Sequence, residues 1–351
     1  AQRKAASVSG RERARLRASF IQEAWRDFYE ECTHRLRAIG LRVPLTGQNH
    51  RCLMQQAVLR DRFDFVDNHL YWDHPISPLR QFRRPLAFQD ESALLSCGGA
   101  VLRLMPTRIA GKPFSVSEFN HCFPNRFRAE CGALFGGYAA LQDWDGLYRF
   151  AWAHGRENLR NAIRKLSMHD TMNNVQAQMA DRILYMLFVR GDVKAAGPAV
   201  AFEFKPEQVR ALKGNSRAGR YPPKFQMLGL FCRIGSLPQC KSFPGVQKVD
   251  PLRKNWEKHL PWEASAAVND LIQGGEIASS TGELTLNTGA KSMRIVTPAS
   301  EVLTGENRMT GKVIASAQLN GYQTVALHSL DGRPLTESGK LLLIQLTDLT
   351  N

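Results

Sequence analysis

The apolar positions of this chain change period twice. Over residues 11–38 they recur about every 3.6 residues: Leu16, Phe20, Phe28 and Leu36 form a stripe that Trp25, Tyr29 and Cys32 widen. That spacing predicts one amphipathic helix, stopped near Gly40. From there to Trp152, short apolar runs alternate with helical stretches. Residues 41–47 read as a strand ending at Gln48-Asn49-His50, and 51–61 as a helix. Residues 63–71 read as a second strand running into Trp72-Asp73-His74-Pro75, and 75–110 mostly as loop with a short helix near Ala93. Residues 113–118 read as a third strand, 127–141 as a helix rich in Ala and Gly, and 146–152 as a fourth strand. Such alternation implies parallel βα units.

Beyond Trp152 the pattern changes. Residues 175–188 read as a helix, and 205–265, rich in Pro, Gly and Lys, show few periodicities and read as a long excursion or linker. From 282 onward the period is two, over residues 283–287, 293–296, 311–315, 324–327 and 341–346, with turn signals such as Asp331-Gly332 between them. The expected organisation is an α/β unit over 1–195, a linker or excursion over 196–275, and an antiparallel, sandwich-like β domain over 276–351 that is cut just past a strand.

Bulk properties narrow the picture little. At 351 residues and 43% hydrophobic the chain can bury a large core, and no apolar run approaches the ~20 residues of a membrane helix, so no membrane partner is expected. Seven cysteines without a CxxC pair read as mostly free thiols. A net charge of +15 raises the question of nucleic acid, with arginine densest in 11–17 and 80–84. No nucleic-acid motif accompanies it, so no specific nucleic-acid partner is expected. His69, His121 and His154 lack HxH or HExxH spacing, so neither metal nor cofactor is expected.

The chemistry collects at the strand ends. Asn49 ends the first expected strand, His69, Tyr71 and Trp72 the second, Glu118 and Asn120 the third, Trp152 and His154 the fourth. That convergence is the active-face pattern of an α/β barrel. A doubly wound sheet would also place a site at strand ends, usually with a phosphate-cradling glycine loop, which is missing here. A single Glu118 at a strand end, ringed by His, Asn, Arg and Trp, suits a glycosidase nucleophile. The plainer readings are an ion-paired Glu118, a core Trp152, and a Glu130 paired with Arg126 along a helix face.

On these residues the chain resembles the C-terminal half of a retaining glycoside hydrolase (β/α)8 barrel. The likeness is to the clan whose catalytic carboxylates follow strands four and seven, and within it to bacterial cellulase- and β-galactosidase-related proteins with a C-terminal β domain. The matching motifs are Val43-Pro44-Leu45-Thr46-Gly47-Gln48-Asn49 for strand five and Asn68-His69-Leu70-Tyr71-Trp72-Asp73-His74-Pro75 for strand six. For strand seven they are Lys112-Pro113-Phe114-Ser115-Val116-Ser117-Glu118-Phe119-Asn120-His121, then Pro124-Asn125-Arg126-Phe127. For strand eight they are Leu141-Gln142-Asp143-Trp144-Asp145-Gly146 through Phe150-Ala151-Trp152-Ala153-His154. Residues 15–195 carry the likeness well and the tail from 280 more loosely.

The resemblance implies roles. Glu118 would be the nucleophile, Tyr71 its hydrogen-bond donor, and His69 part of the same wall. Trp152 would be the sugar platform, with Asn49, Trp72, Asp73, Asn120, Asn125 and Arg126 further substrate contacts. The family's acid/base is a Glu after Asn at the end of strand four, and no Asn-Glu pair occurs in this chain. The expectation is therefore a carbohydrate hydrolase whose strands one to four, with the acid/base, come from a missing N-terminal half-barrel, this chain alone being inactive or nearly so. The competing expectation is a degenerate barrel that binds carbohydrate without cleaving it.

Overall fold

The computed structural model describes residues 9–77, 85–160, 166–197, 199–204, 208, 219–238, 242–250, 253–260, 262–314 and 321–348. The basic run at 80–84 and Cys240 lie outside the described residues. The chain is a mixed α/β protein with two parallel sheets and a separate six-stranded antiparallel sheet.

Helix α1 (Gly10–Ala38) is capped by Ser9, whose hydroxyl accepts from Glu12 N at 3.3 Å. Its apolar stripe does not face the protein. Leu16, Ile21, Trp25 and Phe28 are exposed, and Phe20 is 69% exposed. Only the C-terminal part is tied down: the Tyr29 ring lies 5.0 Å from that of Phe63, and Arg37 pairs with Asp64 at 2.7 Å.

The first parallel sheet holds β1 (Val66–Trp72), β2 (Phe114–His121) and β3 (Gly146–Arg149), adjacent in chain order. Residues 41–47 do not form the expected strand. The segment runs beside β1 and joins it through a single parallel bridge, His50 to His69. Pro44 has no N–H to give. Arg37 donates to Leu41 O and Val43 O, and Leu45 N donates to the Asp64 carboxylate at 2.8 Å. Side chains thus hold the groups that a ladder would use.

After helix α2 (Met54–Arg60) and the short α3 (Ala100–Leu104), helix α4 (Cys131–Leu141) is buried along its whole length. Its glycines explain how. Gly132 lies against the Ala180 backbone of helix α5 (Val175–Leu184), and a Cβ on Gly136 would sit 2.8 Å from Leu184 Cα. A Cβ on Gly137 would sit 2.9 Å from Ile295 of the antiparallel sheet. Small residues let α5 and that sheet close on α4 from two sides.

Residues 196–275, expected as a linker or excursion, are substantially folded. They hold a parallel sheet of β4 (Ala199–Phe204) between β5 (Arg233–Pro238) and β6 (Val246–Val249), with helices α6 (Pro223–Leu228) and α7 (Trp262–Ile272). The buried Gln142 fastens this part to α4, donating to Gly229 O at 2.6 Å and Cys232 O at 2.7 Å, while accepting from Ile234 N at 2.9 Å. Strand β5 is buried at five of its six positions, so it has no alternation to read.

The antiparallel sheet is a meander of β7 (Glu276–Ala278), β8 (Leu284–Asn287), β9 (Ser292–Val296), β10 (Ser300–Gly305), β11 (Gln323–Ser329) and β12 (Leu341–Leu346). Among the described residues it is one sheet and not a sandwich, because Gly137 and the rest of α4 supply its covering layer. Residues 311–314, expected in a strand, form a turn whose N–H groups bond the buried Glu301 carboxylate, at 2.8 Å from Val313 and 2.7 Å from Ile314. Ala315 lies outside the described residues.

Candidate active site

Period two along β1 places Asp67, His69 and Tyr71 on one face, and β2 brings Ser115, Ser117 and Glu118 against them. A register shift at Asn68/His69 sets His69 opposite Glu118. Asp67 is buried. It accepts from Ser115 Oγ at 2.6 Å and Ser117 N at 3.0 Å, and also from Ser117 Oγ. Ser117 Oγ lies 2.7 Å from His69 Nε2, and His69 Nδ1 lies 3.4 Å from Glu118 Oε2. The Tyr71 hydroxyl donates to the same Oε2. A continuous polar chain thus runs from Asp67 through Ser117 and His69 to Glu118 and Tyr71.

Two features set Glu118 apart from Asp67. Its side chain is 29% exposed, against 4% for Asp67, so it is the open carboxylate of the pair. Both neighbours hold Oε2, and among the described residues nothing donates to Oε1. Burial, then the hydrogen bond to Glu118, pushes the Tyr71 phenol well above its ordinary range, so it stays a donor at neutral pH.

Other rings enclose the cluster. His169 lies 5.1 Å from the Tyr71 ring, its pKa driven down to about 4 by burial and then by His154 and His74, so it is neutral. Phe150 is 6.2 Å from the same ring. Trp152, beyond the end of β3, is 56% exposed, which rules out the core reading and leaves its face free to stack.

The remaining expected contacts divide. Asn49 is exposed, and its carbonyl accepts His69 N at 2.7 Å, beside the cluster. Trp72 is partly buried, donates to Glu91 O at 2.9 Å and packs over Gly99. Asn120 is a brace: it donates to Phe150 O at 2.7 Å and His169 O at 2.9 Å, and accepts from the buried Arg149 at 2.7 Å. Asp73, Asn125 and Arg126 form a loop clamp elsewhere. Asp73 accepts Asp90 N at 2.7 Å, the buried Asn125 donates to Glu91 O at 2.9 Å, and Arg126 pairs with Asp90 at 3.0 Å. Both side-chain polar atoms of Asn120 and of Asn125 are bonded by protein, and so is Oδ2 of Asp73, so these three side chains brace the structure. Arg126 is likewise engaged with Asp90 and not with Glu130.

Asp67, Ser115 and Ser117 were missed from the sequence, although the alternation of Asp67 with His69 and of Ser115 with Ser117 was the available signal; Glu118 is out of that alternation and joins through the register shift. The six described cysteines are free, and burial pushes the Cys122 thiol far above its usual range, which excludes a reactive thiolate beside His121. Among the described residues no cluster of His, Cys, Asp or Glu could hold a metal, and no helix is long and apolar enough to cross a membrane. No family model, curated protein or solved structure matches the chain.

Proposed function

We propose that this chain is the nucleophile-bearing half of a retaining β-glycosidase. In this reading β1, β2 and β3, with the extended segment before α2, are strands five to eight of a (β/α)8 barrel. The supporting topology is their parallel order, each strand beside the next in sequence. The observation that carries the function is Glu118 itself, an open carboxylate inside the parallel strand β2, which runs three residues further to His121, held at one oxygen by a protonated tyrosine and, among the described residues, free at the other.

Glu118 Oε1 attacks the anomeric carbon as the bond to the leaving oxygen breaks, giving a glycosyl ester; water then displaces the carboxylate. Tyr71 and His69 orient the nucleophile, and Trp152 carries the sugar face. The second carboxyl group, which protonates the leaving oxygen and then deprotonates water, comes from an N-terminal half-barrel partner. Asp67 is unsuited to that part because its oxygens are bonded by Ser115 and Ser117.

A leaving group that needs no protonation tests the nucleophile alone. The chain is incubated with 2-deoxy-2-fluoro β-glycosides of dinitrophenol, and the adduct is mapped by peptide mass spectrometry. A glycosyl ester on Glu118 supports the reading. No adduct, with sugar binding retained, supports a carbohydrate-binding protein without hydrolysis. The burial of Asp67, which leaves one open carboxylate in the cluster, favours that as the second reading.

A further inference from the structure

A cavity of about 910 Å³ opens beside the Glu118 cluster, with His69 common to both. It lies between the loop after His50, the end of β1, helix α3 and the segment leading into α6. Three arginines reach it from three separate places: Arg51 from the loop, Arg103 from α3, and Arg220 beside α6. His50 joins them, and among the described residues no Asp or Glu lines the cavity.

These guanidinium groups contrast with the paired ones of the chain. Arg37, Arg62, Arg108, Arg126, Arg149 and Arg190 each have a carboxylate partner. Among the described residues, Arg51, Arg103 and Arg220 have none within 4.0 Å. Like charges converging without a counter-ion are unfavourable, and their mutual influence is visible. Arg103 is held below its ordinary range by burial, with the Arg220 charge acting in the same direction. His50 is lowered by burial and then by Arg51, His69, His74 and Arg60. An anion would relieve all of these at once.

The arrangement is also built in advance. The buried Arg60 donates to Gln48 O at 2.9 Å and Arg51 O at 2.9 Å, fixing a loop in which Gln48 and Arg51 have φ of 62° and 77°. Both lie in the left-handed region that such residues adopt only when held. The volume is in the range that encloses a drug-sized ligand, enough for one or two sugar rings.

We propose that this cavity receives the anionic group of an acidic saccharide, a carboxylate or a sulfate ester, and that the glycoside attacked by Glu118 is therefore acidic. The proposal rests on the glycosidase reading for its second part. Guanidinium forks match both anions through paired N–H donors, and neutral sugars offer them only hydroxyls.

Calorimetric titration of the 351-residue chain with matched oligosaccharides tests it. The probes are neutral β-1,4-glucose oligomers against their C6-carboxylate counterparts, sulfated against desulfated galactose oligomers, and inorganic sulfate. The expected result is that one acidic member of a pair binds about 10-fold or more tighter than its neutral twin, with the preference falling as salt rises. Arg103→Gln and Arg220→Gln should each remove most of that preference without changing the melting temperature. Equal binding within both pairs, or a preference that survives in the double variant, overturns the proposal and leaves adduct formation on Glu118 as a separate result. Inorganic sulfate binding as tightly as the acidic saccharides overturns the saccharide assignment. An arginine-dependent acidic preference with no adduct on Glu118 overturns the glycosidase reading and keeps the acidic-saccharide site.

Discussion

Two carboxylates in this molecule are each held by a tyrosine hydroxyl, and they differ in almost everything else. Glu118 accepts from Tyr71 across the parallel sheet, and among the described residues nothing donates to its other oxygen. Glu130, at the start of α4, accepts from Tyr322 just before β11 of the antiparallel sheet, from Ser92 Oγ at 2.7 Å and from Ala93 N at 2.6 Å. It is fully buried, and burial raises its pKa to about 7. His121 lies 3.9 Å away without a hydrogen bond, and burial lowers its pKa to about 3, so it does not neutralise Glu130 as a cation. One Tyr–Glu pair thus leaves a reactive atom open. The other consumes every acceptor and joins β11's flank to the loop before α3. Burial and the count of donors, not residue type, separate a candidate nucleophile from a clamp.

The contrast is broken most strongly at the acids themselves. Glu118→Gln should slow adduct formation with the fluoroglycoside by about 1,000-fold or more, read by intact-mass kinetics. Glu130→Gln should leave that rate alone. In stability the order reverses. Glu130→Ala strands three buried donors, and its unfolding free energy in urea should fall by roughly 3 kcal/mol.

The pH dependence sharpens the same comparison. Glu130 binds its proton more tightly in the folded chain, at about 7, than at the ordinary 4.5. Its contribution to stability is therefore complete below about 4.5 and is lost as pH rises through about 7. The span amounts to roughly 3 kcal/mol. His121 has the opposite slope: its folded pKa of about 3 makes stability fall as pH drops below 6.5. Subtracting the profile of Glu130→Gln from that of the wild type isolates the Glu130 component, which should decline from pH 4.5 to 7. A flat difference would contradict the buried-acid assignment.

The tyrosines separate the two sites further. Tyr71→Phe should slow adduct formation about 10- to 100-fold with little change in melting. Tyr322→Phe should lower stability by about 1–2 kcal/mol with the adduct rate unchanged. The smallest expected effect is at Trp152, where replacement by Ala should weaken sugar binding about 10-fold in the same titration, with stability unaltered because the ring is exposed.

Much of the site was legible because strand alternation and strand ends are local. His69, Tyr71 and Glu118 stood at expected strand ends, and the sheet brings them together. Asn120 and Asn125 carried the same polar signal, yet their amide atoms are spent on bracing, and so is one oxygen of Asp73. Whether an amide or carboxylate is free depends on partners such as Arg149, Asp90 and Glu91, none of which a linear reading pairs with them. Strand β10 was hidden for a related reason. It is buried at every position, so its pattern has no period of two.

The sequence by itself determined the helical period of α1, the alternation of strands and helices, the meander signals of the C-terminal sheet and the placement of Glu118 on a strand. These follow from neighbours in the chain, through backbone geometry and solvation of alternate faces. Only the tertiary structure decided that α1 turns its apolar stripe outward, that the described part of residues 196–275 folds against α4 through Gln142, and that three arginines without a carboxylate partner among the described residues line one cavity. Those outcomes rest on contacts between distant segments, where close approach, burial and the presence or absence of a counter-charge are set by packing and not by local pattern.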